Sequence, residues 1–323
     1  MICLPSNRPP QRFYRGGARV ARFRREEPPA GNEPEDWVAS TTTVFGEAKE
    51  GLTRLPDGRM LRDAVTADPV HWLGDEHVRR WGDDTRLLVK LLDAGQRLPV
   101  HAHPNDEFAA RHLGHGHGKA EAWYVLEGGT VHIGLRRDVG ERELADMVAR
   151  QDVDALLELL HPVELSAGDV VWVPPGELHA IGCGVLLVEV QQPEDLSILL
   201  EWEGFALDGR RDGHLGLGFD LALHAVTLSR RDPGDLDALV GTAPASGSVL
   251  PSAADSYFRL DRWQVSGSRR LAAGFAVIVV TGGKVTIADT EARSGTTLLV
   301  PASDGEITVA GDGEVLVARP PRP

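Results

Sequence analysis

Gly168-Asp169-Val170-Val171-Trp172-Val173-Pro174-Pro175-Gly176-Glu177-Leu178-His179 is an apolar run framed by glycine and proline and closed by a histidine. Four consecutive apolar residues, Val170 to Val173, between turn formers read as a short buried strand, and the Pro-Gly turn aims His179 into the start of the next strand, expected over Ala180 to Val190. The same texture recurs in Leu87-Leu88-Val89-Lys90-Leu91-Leu92 and Val185-Leu186-Leu187-Val188, with 36 glycines and 21 prolines scattered between the runs. Many short strands joined by turns predict a mainly β chain folded as a barrel or sandwich. One interruption is helical: Glu141 to Val148 and Asp154 to Leu160 carry apolar residues at helical spacing, with Asp152 or Asp154 as a cap between them.

Working outward, 323 residues suffice for two cores. Roughly Gly204 to Ala254 is irregular, with one helix-like segment, and reads as a connector. From Tyr257 strand texture resumes in Phe275 to Val280, with a hairpin signal at Gly282-Gly283 and period-two alternation in Lys284 to Ile287. This second unit echoes the first, since Gly295, five residues and Pro301 mirror Gly168, five residues and Pro174. The echo lacks the histidine: the chain continues Pro301-Ala302-Ser303-Asp304-Gly305. One metal site is therefore expected, in the first unit. The division is 1–205 for a metal-binding barrel with a helical insertion at about 140–162, 206–255 for the connector, and 256–323 for a second, metal-free barrel.

Composition narrows the partners. Lysine and arginine number 34 against 48 acidic residues, a net charge of −14, which repels nucleic acid and anionic bilayers and leaves small molecules as partners. No run approaches the ~18 apolar residues of a membrane span, and no apolar stretch of a signal peptide follows the N-terminal arginines. Two cysteines, Cys3 and Cys183, are too few for a disulfide framework, so a reducing cytoplasm is expected.

The chemistry lies in the histidines. His101 and His103 stand two apart, so on a strand both imidazoles face one way, and His179 supplies a third. Two glutamates compete as a carboxylate ligand, Glu107 and Glu121, and each precedes a glycine by seven residues. Glu121 opens the apolar strand Trp123-Tyr124-Val125-Leu126, whereas Glu107 sits in an exposed-looking helical turn, which favours Glu121 because ligands need rigid support. Three imidazoles and a carboxylate suit Zn2+, with other divalent transition metals acceptable. His112, His115 and His117 read as residues of an exposed loop.

These residues resemble the phosphomannose isomerases of the type I cupin family, in their short bacterial form. Tyr14-Arg15-Gly16-Gly17, Glu35-Asp36-Trp37-Val38-Ala39-Ser40, Leu87 to Asp106, Gly118-Lys119-Ala120-Glu121-Ala122-Trp123-Tyr124, Val173 to Ala180 and Glu189-Val190-Gln191-Gln192 are similar to that family's motifs. The resemblance implies two cupin-type jelly-roll barrels, with His101, His103, Glu121 and His179 as metal ligands. It further implies an aldose–ketose isomerase of mannose 6-phosphate, or of a related and unphosphorylated sugar, working through a cis-enediol. Lys119, two positions from Glu121 and so on the same strand face, is the candidate catalytic residue and lines the substrate pocket. Trp37 and Ser40 are implied at that pocket, and Arg210 (catalytic) and Arg211 (substrate-binding) are candidates from the connector.

Three departures accompany the resemblance. The family has glutamine at His101, serine at Pro99, and arginine at Leu199. The last two remove groups suited to a phosphate, which predicts poor use of mannose 6-phosphate unless Arg210, Arg211 or the N-terminal Arg12, Arg15 and Arg19 compensate. A sugar-binding cupin without turnover is the alternative from another class.

Overall fold

A computed structural model describes all 323 residues, and the chain is mainly β, built on three antiparallel sheets. The first, six-stranded, runs β12 (Val240–Thr242), β8 (Asp169–Val173), β5 (Glu121–Glu127), β10 (Leu186–Gln191), β3 (Leu88–Asp93) and β2 (Glu35–Val38). The second, five-stranded, runs β11 (Ile198–Leu199), β4 (His101–Ala102), β9 (His179–Ile181), β6 (Gly129–Leu135) and β7 (Leu160–Leu165). The third runs β1 (Ile2–Leu4), β17 (Thr297–Val300), β15 (Ala276–Ile287), β18 (Ile307–Arg319), β14 (Arg259–Leu271) and β13 (Ser246–Ser248), with β16 (Thr290–Arg293) paired to β15.

The continuous apolar runs follow from burial on both faces. In the third sheet the alternation is strict: Val277, Val279, Leu299, Leu316 and Ala318 join the core shared with the six-stranded sheet. Their neighbours Ile278, Val280, Leu298, Val300, Val315 and Val317 fill a separate core of that sheet alone. Trp172 of β8 meets Phe258 at 5.9 Å between ring centres, where the two sheets share that first core. The extreme N-terminus belongs to this region too, because Ile2, Cys3 and Leu4 pair with Leu299, Leu298 and Thr297.

The expected helical insertion is present as two helices, Glu141–Arg150 and Val153–Glu158, between β6 and β7. Leu144 and Val148, one turn apart, are buried on the first. The Asp152 carboxylate accepts from the Ala155 N–H and opens the second. The segment 206–255 carries short helices and also edge strands for two sheets, β12 on β8 and β13 on β14.

Two details differ from expectation. Ala180 to Val190 is two strands in two sheets, because Gly182-Cys183-Gly184 turns the chain; a side chain at Gly182 would lie 1.9 Å from the Thr130 carbonyl oxygen. The hairpin falls at Ala288-Asp289, whereas Gly282-Gly283 lies inside β15 at a register shift against β18. Glycine there marks a bulge in a long bent strand.

Candidate metal centre

His101 on β4 lies directly opposite His179 on β9, so two imidazoles meet across one strand pair. His103 follows two residues after His101, and its carbonyl accepts from the Gly176 N–H at 2.7 Å, tying the His103 strand to the turn that delivers His179. Gly176 adopts φ +86°, and a side chain there would meet Thr227 Oγ1 at 2.7 Å, which accounts for glycine in the turn. The ligand-type atoms of the three histidines all lie within 4.8 Å of one another, and all three residues are buried.

Each imidazole is oriented by a main-chain carbonyl. His101 Nδ1 lies 2.8 Å from Pro99 O, His103 Nδ1 2.7 Å from Leu196 O, and His179 Nδ1 2.9 Å from Glu177 O. A carbonyl only accepts, so each Nδ1 carries the proton and each Nε2 presents its lone pair inward. Burial, then the neighbouring His179 and His103, pushes the His101 imidazole well below its ordinary range. His103 is lowered to about 4, first by burial and then by the Lys119 ammonium. Neutral imidazoles with converging Nε2 atoms are the form in which histidine binds metal.

Glu121 stands against this cluster from the six-stranded sheet. Its oxygens are 3.0 Å from His103 Nε2 and 3.1 Å from His179 Nε2, and Oε1 also accepts from Trp123 Nε1 at 3.1 Å. Carboxylate oxygens facing imidazole lone pairs are acceptors facing acceptors, an arrangement that calls for a positive charge between them. The Lys119 ammonium supplies part of it, 2.7 Å from Glu121 Oε2 and 3.1 Å from His103 Nε2. His179 Nε2 remains buried with no hydrogen-bond partner. A divalent cation held by the three histidines would satisfy these groups, so the imidazoles fit a metal, and Glu121 faces two of them. Burial opposes the Glu121 charge, but the Lys119 ammonium outweighs it and holds the carboxyl well below the usual range.

Of this cluster His101, Lys119 and Glu121 line a cavity, whereas His103 and His179 are not in its lining, and further charged groups share it. Arg12, Lys90 and Lys119 line it together with Glu35, Glu121, Glu189 and Asp195. Cross-strand register explains the row, since Trp37 pairs with Lys90, Lys90 with Glu189, and Glu189 with Trp123. Lys90 Nζ lies 3.8 Å from Glu35 and 3.7 Å from Glu189. Burial raises Glu189 to about 8 in spite of Lys90, whereas Arg12 and Lys90 overcome burial at Glu35 and lower it to about 2.

No family model matches the sequence. The chain is 31% identical over 251 residues to mannose-6-phosphate isomerase ManA of Bacillus subtilis (strain 168), covering 73% of this chain and 76% of that protein. It is 30% identical over 264 residues to the mannose-6-phosphate isomerase of Streptococcus mutans serotype c, covering 77% and 80%. The chain belongs to the mannose-6-phosphate isomerase family. The fold agrees: the crystal structure of the Bacillus subtilis mannose 6-phosphate isomerase superimposes with a TM-score of 0.76 at 22% identity, covering 98% of this chain and 99% of that one.

Within this family member, the structure brings His101, His103, His179, Glu121 and Lys119 together. Trp37, expected at the pocket, is fully buried and does not line the cavity; its ring lies 4.7 Å from Lys90 Nζ and its Nε1 donates to Glu35 Oε2 at 2.6 Å. Ser40 is buried, donates to the Thr42 carbonyl and does not line the cavity. Arg210 and Arg211 are exposed and outside the lining; Arg211 is paired with Asp212 at 2.8 Å. Glu107 is exposed and paired with Arg111. The loop histidines are more constrained than expected, His115 bonding Glu194 at 2.8 Å and the buried His117 bonding Asp84 at 2.6 Å.

Sequence reasoning gave no site role to Lys90, Glu189, Glu35 or Asp195. The first two carried a signal, being charges with apolar neighbours on both sides in strands that are buried along their whole length. A buried charge persists only when paired or used.

Proposed function

We propose that the protein is a metal-dependent aldose–ketose isomerase that interconverts mannose 6-phosphate and fructose 6-phosphate, or a closely related sugar, through a cis-enediol. The carrying observation is the grouping of three carbonyl-oriented imidazoles, two of them facing Glu121, beside a charged cavity. The names of the relatives support the substrate class. His101, His103, His179 and Glu121 would hold the ion, which we take to be zinc from the three-imidazole, one-carboxylate donor set. When bound, the ion supplies Lewis acidity toward sugar oxygens.

The chain's own groups do the rest. Lys119, buried between Glu121 and Glu189, offers ammonium N–H groups to a sugar oxygen beside the metal position and stabilises negative charge there. The apolar shell of Leu92, Leu98, Ile181 and Leu199 limits water at the reacting carbons. The architecture is read as two cupin-type barrels, 1–205 bearing the metal and 256–323 without one, joined by 206–255. Two exposed, unpaired cysteines are in keeping with a cytoplasmic enzyme; no helix is long and apolar enough to cross a membrane.

Isomerisation of mannose 6-phosphate, followed by enzymatic detection of fructose 6-phosphate, tests the reading. Activity should vanish on chelation and return with zinc. Turnover that survives in verified metal-free protein refutes it, and binding without hydrogen–deuterium exchange at C2 indicates a sugar-binding protein instead.

A further inference from the structure

Of Arg12, Arg15, Arg19, Arg210 and Arg211, one lines the cavity. Arg15 is exposed and engages Gln96 at 3.0 Å, Arg19 pairs with Asp93 at 3.2 Å, and Arg210 and Arg211 are exposed outside it. Arg12 enters the lining with a side chain only 12% exposed. Its position is fixed from several sides. The Arg12 N–H donates to Asn32 O at 3.1 Å, and the guanidinium lies 5.8 Å and 5.9 Å from the ring centres of Phe13 and Trp37.

The donors of this fixed group are only loosely used. Arg12 Nε is 3.4 Å from Glu35, and both terminal nitrogens are 3.5 Å from the same oxygen of Asp195, all at the outer limit of hydrogen bonding. The carboxylates have shorter partners of their own. Glu35 accepts from Tyr14 and Trp37 at 2.6 Å each, and Asp195 from the Phe45 N–H at 3.1 Å. Arg12 is therefore held in place by partners that do not saturate its five N–H donors.

Charge around it favours an anion once the metal is loaded. Three cations, Arg12, Lys90 and Lys119, face four carboxyl groups, Glu35, Glu121, Glu189 and Asp195, so even with all four ionised a bound divalent ion tips the wall to a net positive charge. Only Arg12 among the three cations presents a planar fork, the geometry that recognises phosphate oxygens in pairs. Leu199, on the same lining, offers no donor.

We infer that Arg12 is the specificity-determining residue that binds the phosphate of a sugar phosphate substrate in this cavity. The inference rests on the proposed isomerase function but concerns binding, so the two fail separately. The test is calorimetric binding of mannose 6-phosphate and of free mannose to zinc-loaded wild-type protein, Arg12→Gln and Arg12→Lys. Turnover, zinc content and melting temperature are recorded alongside.

Arg12→Gln should weaken mannose 6-phosphate binding about 10- to 100-fold, the worth of a charged hydrogen bond, and leave free mannose within about threefold. Arg12→Lys should fall between, retaining charge without the fork. Unchanged affinity for the phosphate ester, or an equal loss for both sugars, overturns the inference. Should Arg12→Gln not fold, Arg12→Lys decides: selective weakening toward the phosphate ester supports it, and wild-type affinity for that ester overturns it. Phosphate binding that depends on Arg12 without any turnover would sink the isomerase reading and leave this one standing.

Discussion

The strands Asp169–Val173 and Thr297–Val300 are framed alike, by Gly168 and Pro174 in one case and Gly295 and Pro301 in the other, yet they border opposite interiors. Beside the first, Glu35, Lys90, Lys119, Glu121 and Glu189 are all buried. Beside the second, Val265, Ile278, Val280, Ile287 and Val309 are buried without a charge among them. The strand and its turn thus specify a scaffold, and single residues inside the strands specify what it holds. An apolar interior is stabilising by burial alone. A charged interior is stable only through mutual pairing, and such a departure from ordinary packing is the mark of a functional site.

The sharpest break in the comparison comes from emptying the charged interior of its metal ligands. His101→Ala, His103→Ala, His179→Ala or Glu121→Gln should abolish zinc binding and lower kcat/KM by about a thousandfold or more, since the metal contributes several kcal/mol to the transition state. Zinc content and steady-state rates measure both effects, while circular dichroism should show the fold retained. If Glu107→Gln loses zinc while Glu121→Gln keeps it, the carboxylate assignment is wrong.

Removing a paired charge should unsettle the first interior more than trimming the second. Lys90→Met leaves Glu35 and Glu189 without their shared cation and should cost about 3 kcal/mol of stability in urea unfolding, with loss of activity. Ile278→Val, in the apolar core of the third sheet, should cost about 1 kcal/mol and leave kcat/KM unchanged. Equal costs, or an activity loss at Ile278, would show that the two interiors are not separate in function.

Much of this contrast was legible in the sequence. His101 and His103 at strand spacing, His179 after its turn, and Glu121 at the head of an apolar strand are local patterns, and local patterns survive into the structure. The helical insertion was legible for the same reason, through Leu144, Val148 and the Asp152 cap. Other features depend on which strands become neighbours. Nothing in Glu35, Lys90 or Glu189 alone announces that they form one row, because strand register is a tertiary property. Arg12 is 183 residues from Asp195, and only the folded chain brings them together. The Gly282-Gly283 signal misled because glycine serves equally in a turn and in a bulge.

The smallest expected effect concerns the connector, where Arg210 and Arg211 combine the right chemistry with the wrong place. Both are exposed, and neither lines the cavity that His101, Lys119 and Glu121 border. Arg211 is bound to its neighbour Asp212 by two contacts of 2.8 Å, an exposed pair that salt screens and that side-chain entropy offsets. Arg210 is engaged through its carbonyl, which accepts from His214 Nε2 at 3.0 Å, and a side-chain substitution leaves that bond intact. Arg210→Gln and Arg211→Gln should therefore leave kcat/KM for mannose 6-phosphate within about twofold and the melting temperature unchanged, as for surface substitutions generally. The contrast with Arg12→Gln is the informative quantity. A phosphate-selective loss at Arg211 with none at Arg12 would mean that the connector closes over the cavity during turnover and supplies the guanidinium itself.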